Sequence, residues 1–187
     1  SISERFASQA YAVYALALHN EFLPNYFSKL FQVRDQIPYG GKAHLLKAGK
    51  MLDASPDDLN ILAEELLNQS KIAPTTLHFE EPIEALSWIP QSNVKTTALT
   101  LQALLEAKGG FPNDDRVIRW LTQERKIAGR WRTTHENAAA LWAFQDYYRR
   151  YESGAPDFVG RLDQDGAAPR TLWSVPFKGR SLFTFTK

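Results

Sequence analysis

The sequence predicts a mainly α fold, part of an α/α toroid of helical hairpins, followed by a short C-terminal β segment. Three observations lead there. A spacing of Ala-x-x-(Val/Leu)-x-Ala recurs at Ala10/Val13/Ala15, Ala43/Leu46/Ala48, Ala98/Leu101/Ala103 and Ala138/Leu141/Ala143. Recurrence on the scale of ~20–50 residues suggests stacked helical repeats. Amphipathic segments with helix-capping signals lie between these runs, and beyond Ser153 the pattern turns to apolar–polar alternation. The expected division is a helical-hairpin region over 1–152 and a β-strand segment over 153–187.

Taken in order, "SISERFASQAYAVYALALHN" reads as an amphipathic helix rather than a signal peptide. "PNYFSKLFQVRDQIP" is a less regular outer helix, and "KAHLLKAGKMLDA" is an inner one. In "SPDDLNILAEELLNQS", Ser55 is an N-cap, Pro56 takes the first helical position, and Leu59, Leu62, Ala63, Leu66 and Leu67 form one stripe. Residues 71–92 hold three prolines and few helix signals, which predicts an extended excursion, hairpin-like, across one end of the helix layer. "TALTLQALLEAK" is again an inner helix. "NDDRVIRWLTQERKIAG" begins with acids, ends with bases, buries Val117, Ile118 and Leu121, and has Gly129 as its stop.

The last helix, after Thr133, carries Ala138, Leu141 and Trp142 on one side and Ala140, Phe144, Tyr147 and Tyr151 on another. A helix apolar on two faces is expected to be sandwiched. The reading is therefore of inner helices alternating with outer ones. Past Ser153, Asp165-Gly166 and Lys178-Gly179 are turn candidates between strands.

Composition narrows the functions. Hydrophobic residues at 44% and charged residues at 23% are ordinary for a globular chain. With 22 basic and 21 acidic residues the net charge is +1, which gives no field for nucleic acid or an anionic membrane. No apolar run approaches the roughly 20 residues of a membrane span. The absence of cysteine removes disulfides, thiolate–zinc sites and thiol nucleophiles from these residues.

His135-Glu136 stands as it would at the start of a zinc-protease helix, but the second His of His-Glu-x-x-His is here Ala139. His19, His44 and His78 have no ligand spacing. Thr133 and Glu136 instead have the Thr-x-x-Glu spacing of a capping box. Of the carboxylate pairs Asp57/Asp58, Glu64/Glu65, Glu80/Glu81 and Asp114/Asp115, two sit where helix N-termini favour acids and Glu64/Glu65 falls on a solvent face, and nothing nearby in sequence would tune any of them for acid–base catalysis. Gly40-Gly41 and Gly109-Gly110 lack the length of a phosphate loop and read as turns beside helices, and no Gly-x-Ser-x-Gly elbow occurs. Trp88, Trp120, Trp131, Trp142, Tyr147 and Tyr148 would either line an apolar cavity or, the preferred reading, pack a core. No catalytic, cofactor-binding or metal-binding residue is assigned.

"QERKIAGRW" faintly resembles the Gln…Gly-x-Trp repeats of terpene cyclases, which are helical toroids, but their Asp-rich motifs are missing. A prenyltransferase-like zinc site would need a Cys, and there is none. A closer resemblance covers most of the chain and is most specific over 93–152. Thr96-Thr97-Ala98, Leu101-Gln102-Ala103-Leu104, Arg119-Trp120-Leu121 and the run from Trp131 to Ala138, "WRTTHENA", resemble the end of the thioester domain of bacterial alpha-2-macroglobulins.

That resemblance implies an α/α toroid in a periplasmic or cell-envelope protease trap. In such a trap a bait segment is cut and an internal Cys–Gln thioester then acylates the protease. The Cys-x-x-Gln motif is not in this chain, so no thioester residue carries over. The expected role is non-catalytic and cofactor-free: completing the shell around an upstream thioester. Proteases would be met through the full-length parent and neighbouring domains docked directly, with no nucleic acid and no membrane contact by this segment. The strand-rich tail would lead toward an adjoining β domain. The alternatives are a toroid enzyme of the terpene-cyclase or prenyltransferase kind, or a helical-repeat protein-binding module.

Overall fold

A computed structural model of the chain describes residues 2–21, 23–81, 92–125, 129–154, 157–164 and 170–178. Helices α1 (Ile2–Leu18), α2 (Pro24–Gln32), α3 (Tyr39–Met51) and α4 (Pro56–Leu67) come first, with a single 3-10 turn at Arg34–Gln36. A small hairpin, β1 (Ser70–Ile72) and β2 (Leu77–Phe79), follows. Then come α5 (Asn93–Lys108), α6 (Asp115–Gln123), α7 (Thr134–Tyr151) and the strands β3 (Asp157–Gln164) and β4 (Arg170–Lys178). The fold is mainly α, built of packed helical hairpins.

The repeated small residues explain how the hairpins stack. α3 packs along α1 on one flank and along α5 on the other. Ala10, Ala43, Ala48, Ala98 and Ala103 are fully buried in these seams, or nearly so. Gly41 lies where a Cβ would come within 2.7 Å of Ile37 and 3.1 Å of the Ala7 backbone, so α1 and α3 approach closely. Gly49 plays the same part on the outer side of α3, where a Cβ would fall 2.5 Å from the Phe27 ring and 2.9 Å from Leu59. The inner row continues to α7 through Gln102, whose amide donates to the Ala139 carbonyl at 3.2 Å.

The amphipathic helices occupy the second layer. α2 rests against α1 and α3, and α4 against α3 and α5, while α6 packs on α5 and β2. Leu45, Leu46, Leu62, Leu66, Leu101, Leu104 and Leu121 are fully buried between the layers. Each such side chain contributes about 1.5–3 kcal/mol relative to exposure. α5 is enclosed nearly all round, with Val94 and every residue from Thr96 to Leu105 buried.

Caps set the ends. The Ser55 hydroxyl accepts from Asp58 N at 3.1 Å, and Ser92 caps α5 through Lys95 N at 3.1 Å. α5 stops at Gly109, which takes a left-handed φ of 74° suited to glycine, with its N–H on the Leu105 carbonyl. α6 is shorter than its sequence pattern predicts: it ends at Gln123, well before Gly129. The Trp131 indole N–H bonds the Leu121 carbonyl at 2.9 Å, taking the acceptor that the Arg125 N–H would need to extend the helix.

α7 also departs from the repeat. Leu141 is 61% exposed and Trp142 60% exposed, where the matching Leu46 and Leu101 are at 0%. Ala139, Ala140 and Ala143 face the core instead. α7 is the last helix of the inner row, so the flank expected to be sandwiched has no described neighbour.

The excursion over 71–92 opens as the β1/β2 hairpin, in antiparallel register with Lys71 opposite His78. Residues 82–91, Trp88 among them, lie outside the described residues. The chain divides into two compact units, 1–150 and 151–187. In the second, β3 and β4 pair antiparallel from Asp157↔Lys178 to Gln164↔Arg170, with a register shift between Leu162 and Asp163. The turn candidates Asp165-Gly166 and Gly179 lie outside the described residues.

Candidate functional site

His135-Glu136, the sequence's one echo of a metalloprotease, is a helix entry. Glu136 Oε2 accepts from Thr133 N at 3.1 Å, and Thr133 Oγ1 accepts from Glu136 N at 3.1 Å. The other Glu136 oxygen accepts the Ser92 hydroxyl at 2.5 Å, so one carboxylate ties the starts of α5 and α7 together. Asn137 completes the joint: its amide donates to the Trp131 carbonyl at 3.0 Å and its Oδ1 accepts from Trp131 N at 3.4 Å. Both Glu136 oxygens are engaged and His135 is exposed. Among the described residues, no group of three or more His, Asp or Glu is arranged to hold a metal ion.

The other acids also serve the fold. Asp57 and Asp58 sit in the first turn of α4, and Asp115 in that of α6. Asp114 is buried and its Oδ2 accepts from Phe111 N at 3.4 Å. Glu65 is not on a solvent face as its spacing suggested. It is partly buried and accepts from Arg34 Nε and Lys42 Nζ, each at 2.7 Å. Burial pushes its carboxyl up, but the hydrogen bonds and charges of Lys42 and Arg34 outweigh that and hold it below the usual range.

Glu81 caps α3 from a distant part of the chain. It takes Tyr39 N at 3.0 Å and Gly40 N at 2.7 Å, and also the Thr96 hydroxyl at 3.1 Å. Gly40-Gly41 thus lies inside the first turn of α3 rather than in a preceding turn. An acid here suits the positive end of the helix. Burial, with the Glu81 charge, raises the Tyr39 phenol above its ordinary value.

The aromatics separate into two fates. Trp131 packs the core and tilts against Phe144 at 6.0 Å. Trp120 stacks flat on His78 at 4.6 Å beside a polar cleft of about 440 Å³, which Glu80, Ser92, Glu124, Arg132 and Glu136 also line. Trp142 instead stands at the rim of a cleft on the inner face of the helix row.

That inner-face cleft, about 370 Å³, is lined by Tyr11, Tyr14, His44, Lys47, Gln102 and Asp146 among others. It is the strongest candidate site. Apolar walls with a few converging polar groups are the usual make-up of a binding cleft. Lys47 is buried; its ammonium sits 4.8 Å above the Tyr14 ring, 3.4 Å from Gln102 Oε1 and 3.7 Å from Glu106 Oε2. Tyr14 stacks on His44 at 5.3 Å and Tyr11 meets its edge at 5.1 Å. Burial, aided by Lys47 and Lys95, lowers His44 to about 4. Burial also raises Glu106, with Asp146 adding to it and Lys47 opposing.

Sequence reasoning missed this cluster. Its signal was polar or aromatic residues at helical spacing within alanine-rich inner helices: Tyr11/Tyr14, His44/Lys47 and Trp142/Asp146.

Fold and site together define a two-layered helical-hairpin protein with a mixed aromatic and charged inner face. No protein-family model matches the chain, and no curated protein does. The likeness to macroglobulin thioester domains therefore rests on the motif residues themselves.

Proposed function

We propose that this chain is a non-catalytic scaffold and docking module, the C-terminal part of a thioester-type toroid in a bacterial macroglobulin-like protease inhibitor. The observation that carries the reading is the joint at Trp131–Ala138. The most specific motif of the resemblance, Thr-Thr-x-Glu-Asn-Ala, spends Thr133, Glu136 and Asn137 on bonds that fix α7 to α5 and to its own entry. A motif used this way suits a shell that encloses chemistry supplied elsewhere. The exposed inner face of the row, with Tyr11, Leu18 and Trp142 outward, suits docking of further helical hairpins. On this reading the partners are proteases, met through the full-length protein, and neighbouring domains of the same polypeptide. The setting is periplasmic or cell-envelope.

The test is to cleave the full-length protein with a broad-specificity protease and look for a covalent conjugate by denaturing electrophoresis. A protease-sized mass shift that methylamine pretreatment abolishes supports the reading. Unhindered protease with no conjugate counts against it.

A toroid enzyme of the terpene-cyclase or prenyltransferase kind draws support from the inner cleft and its titratable groups. Turnover of prenyl diphosphates with magnesium would establish it and displace the scaffold reading. A helical-repeat binding module remains the third reading, and a stable partner captured independently of any protease would favour it.

A further inference from the structure

His44 lies where a side chain of α3 must pass between two tyrosines of α1. Tyr14 stacks on the imidazole with 26° between planes, and Tyr11 closes the edge. Nδ1 is shielded from solvent and has no hydrogen-bond partner. A neutral ring fits such a slot. An imidazolium would bring a second N–H without an acceptor, and the Tyr14 ring that would attract it already carries the Lys47 ammonium at 4.8 Å.

α1 lies at one end of the inner row and is held mainly along α3. Its buried residues are Ala10, Val13 and Ala17, whereas α5 buries eleven. Tyr11, Leu16 and Leu18 of α1 are exposed. A helix at the end of a layer can open without the rest of the layer.

We propose that His44 is a proton-sensitive latch, holding α1 on α3 while neutral and releasing it when protonated, which uncovers the flank of α3 that α1 packs on. The groups facing the latch are Tyr11 and Tyr14 from α1 and Lys47 one turn along α3. Lys95, Gln102 and Glu106 stand on α5, and Asp146 of α7 lines the same cleft. α2 and α4 pack on the opposite flank of α3, where Lys42 meets Glu65. Burial raises the Glu106 carboxyl, so its own proton favours the closed form and opposes the release that His44 drives.

The direction follows from linkage. The released imidazole titrates near 6.5 and the packed one near 4, so the open form binds the proton more tightly. The closed form is fully favoured above 6.5 and is lost progressively as pH falls toward 4. Over that window the opening equilibrium of α1 rises on the order of 10²-fold.

Hydrogen-exchange protection factors, which normalise the intrinsic exchange rate, test this on the whole chain between about pH 7 and about pH 4.5. Protection in α1 should fall on the order of 10-fold or more over that range while α5 holds, and His44→Gln should remove most of the fall. The His44 ring resonances should titrate well below their usual range. An unchanged profile in His44→Gln, or α1 and α5 losing protection together, would overturn the latch. If His44→Gln does not fold, the ring titration of the unmodified chain decides: a midpoint near 6.5 refutes it.

Discussion

The hydroxyl of Thr97 makes both hydrogen bonds of the Phe79 backbone that face α5: it accepts from Phe79 N at 3.0 Å and donates to Phe79 O at 3.1 Å. Both residues are fully buried. One threonine on the most enclosed helix thus satisfies the outer edge of β2, which would otherwise leave a buried donor and acceptor unpaired. Thr97→Val keeps the shape and removes the hydroxyl. It should cost about 2–4 kcal/mol, because two buried backbone groups lose their partner. Urea denaturation measures it, and Thr97→Ser should recover most of the loss.

Gly49 tests the closeness of the layers. Gly49→Ala places a methyl group within 2.5 Å of the Phe27 ring and 2.9 Å of Leu59, so it should destabilise by about 1–3 kcal/mol although alanine favours helix. Adding Phe27→Leu should restore part of the stability. An unchanged melting temperature in Gly49→Ala would mean that α2 and α3 sit further apart.

Glu136 joins two helix starts, so its removal should be felt in both. Glu136→Ala should cost about 1–2 kcal/mol, and Ser92→Ala should cost less once Glu136 is gone, because only its cap on Lys95 N then remains to be lost. A double-mutant cycle by chemical denaturation measures that coupling. Zinc should leave the melting temperature of the unmodified chain unchanged, since both Glu136 oxygens are committed to the joint.

Glu65 gives a pH prediction. Its carboxyl is held below its ordinary 4.5 in the folded chain. Its contribution is therefore complete above that value and is lost as pH falls through the lowered one. The stability advantage over Glu65→Gln, followed by urea denaturation across pH, should be largest at neutral pH and shrink in acid. A constant difference would mean that the Arg34 and Lys42 bonds do not depend on charge.

The alternation of inner and outer helices was legible in the sequence because small residues at fixed spacing and single apolar stripes are local signals. Thr133 and Glu136 were legible for the same reason, since a capping box lies within one turn. The rest depended on distant partners. Glu81 capping α3, Thr97 clamping Phe79 and Glu65 gathering Arg34 and Lys42 each join segments far apart in sequence, and no spacing announces them. The exposure of Leu141 and Trp142 could not be read from their own helix either, because it depends on whether a neighbour covers that flank. The inner cleft escaped notice because Tyr11, His44, Lys47 and Trp142 come from three helices, each with only one or two members.

The reading as part of a covalent protease trap is tested most directly by titrating free thiols on the full-length protein before and after methylamine. These 187 residues contain no cysteine, so any thiol that appears comes from the rest of the polypeptide. The account predicts one new thiol per molecule upon amine treatment, as an internal thioester opens. No new thiol, in a protein that also fails to trap proteases, would contradict it.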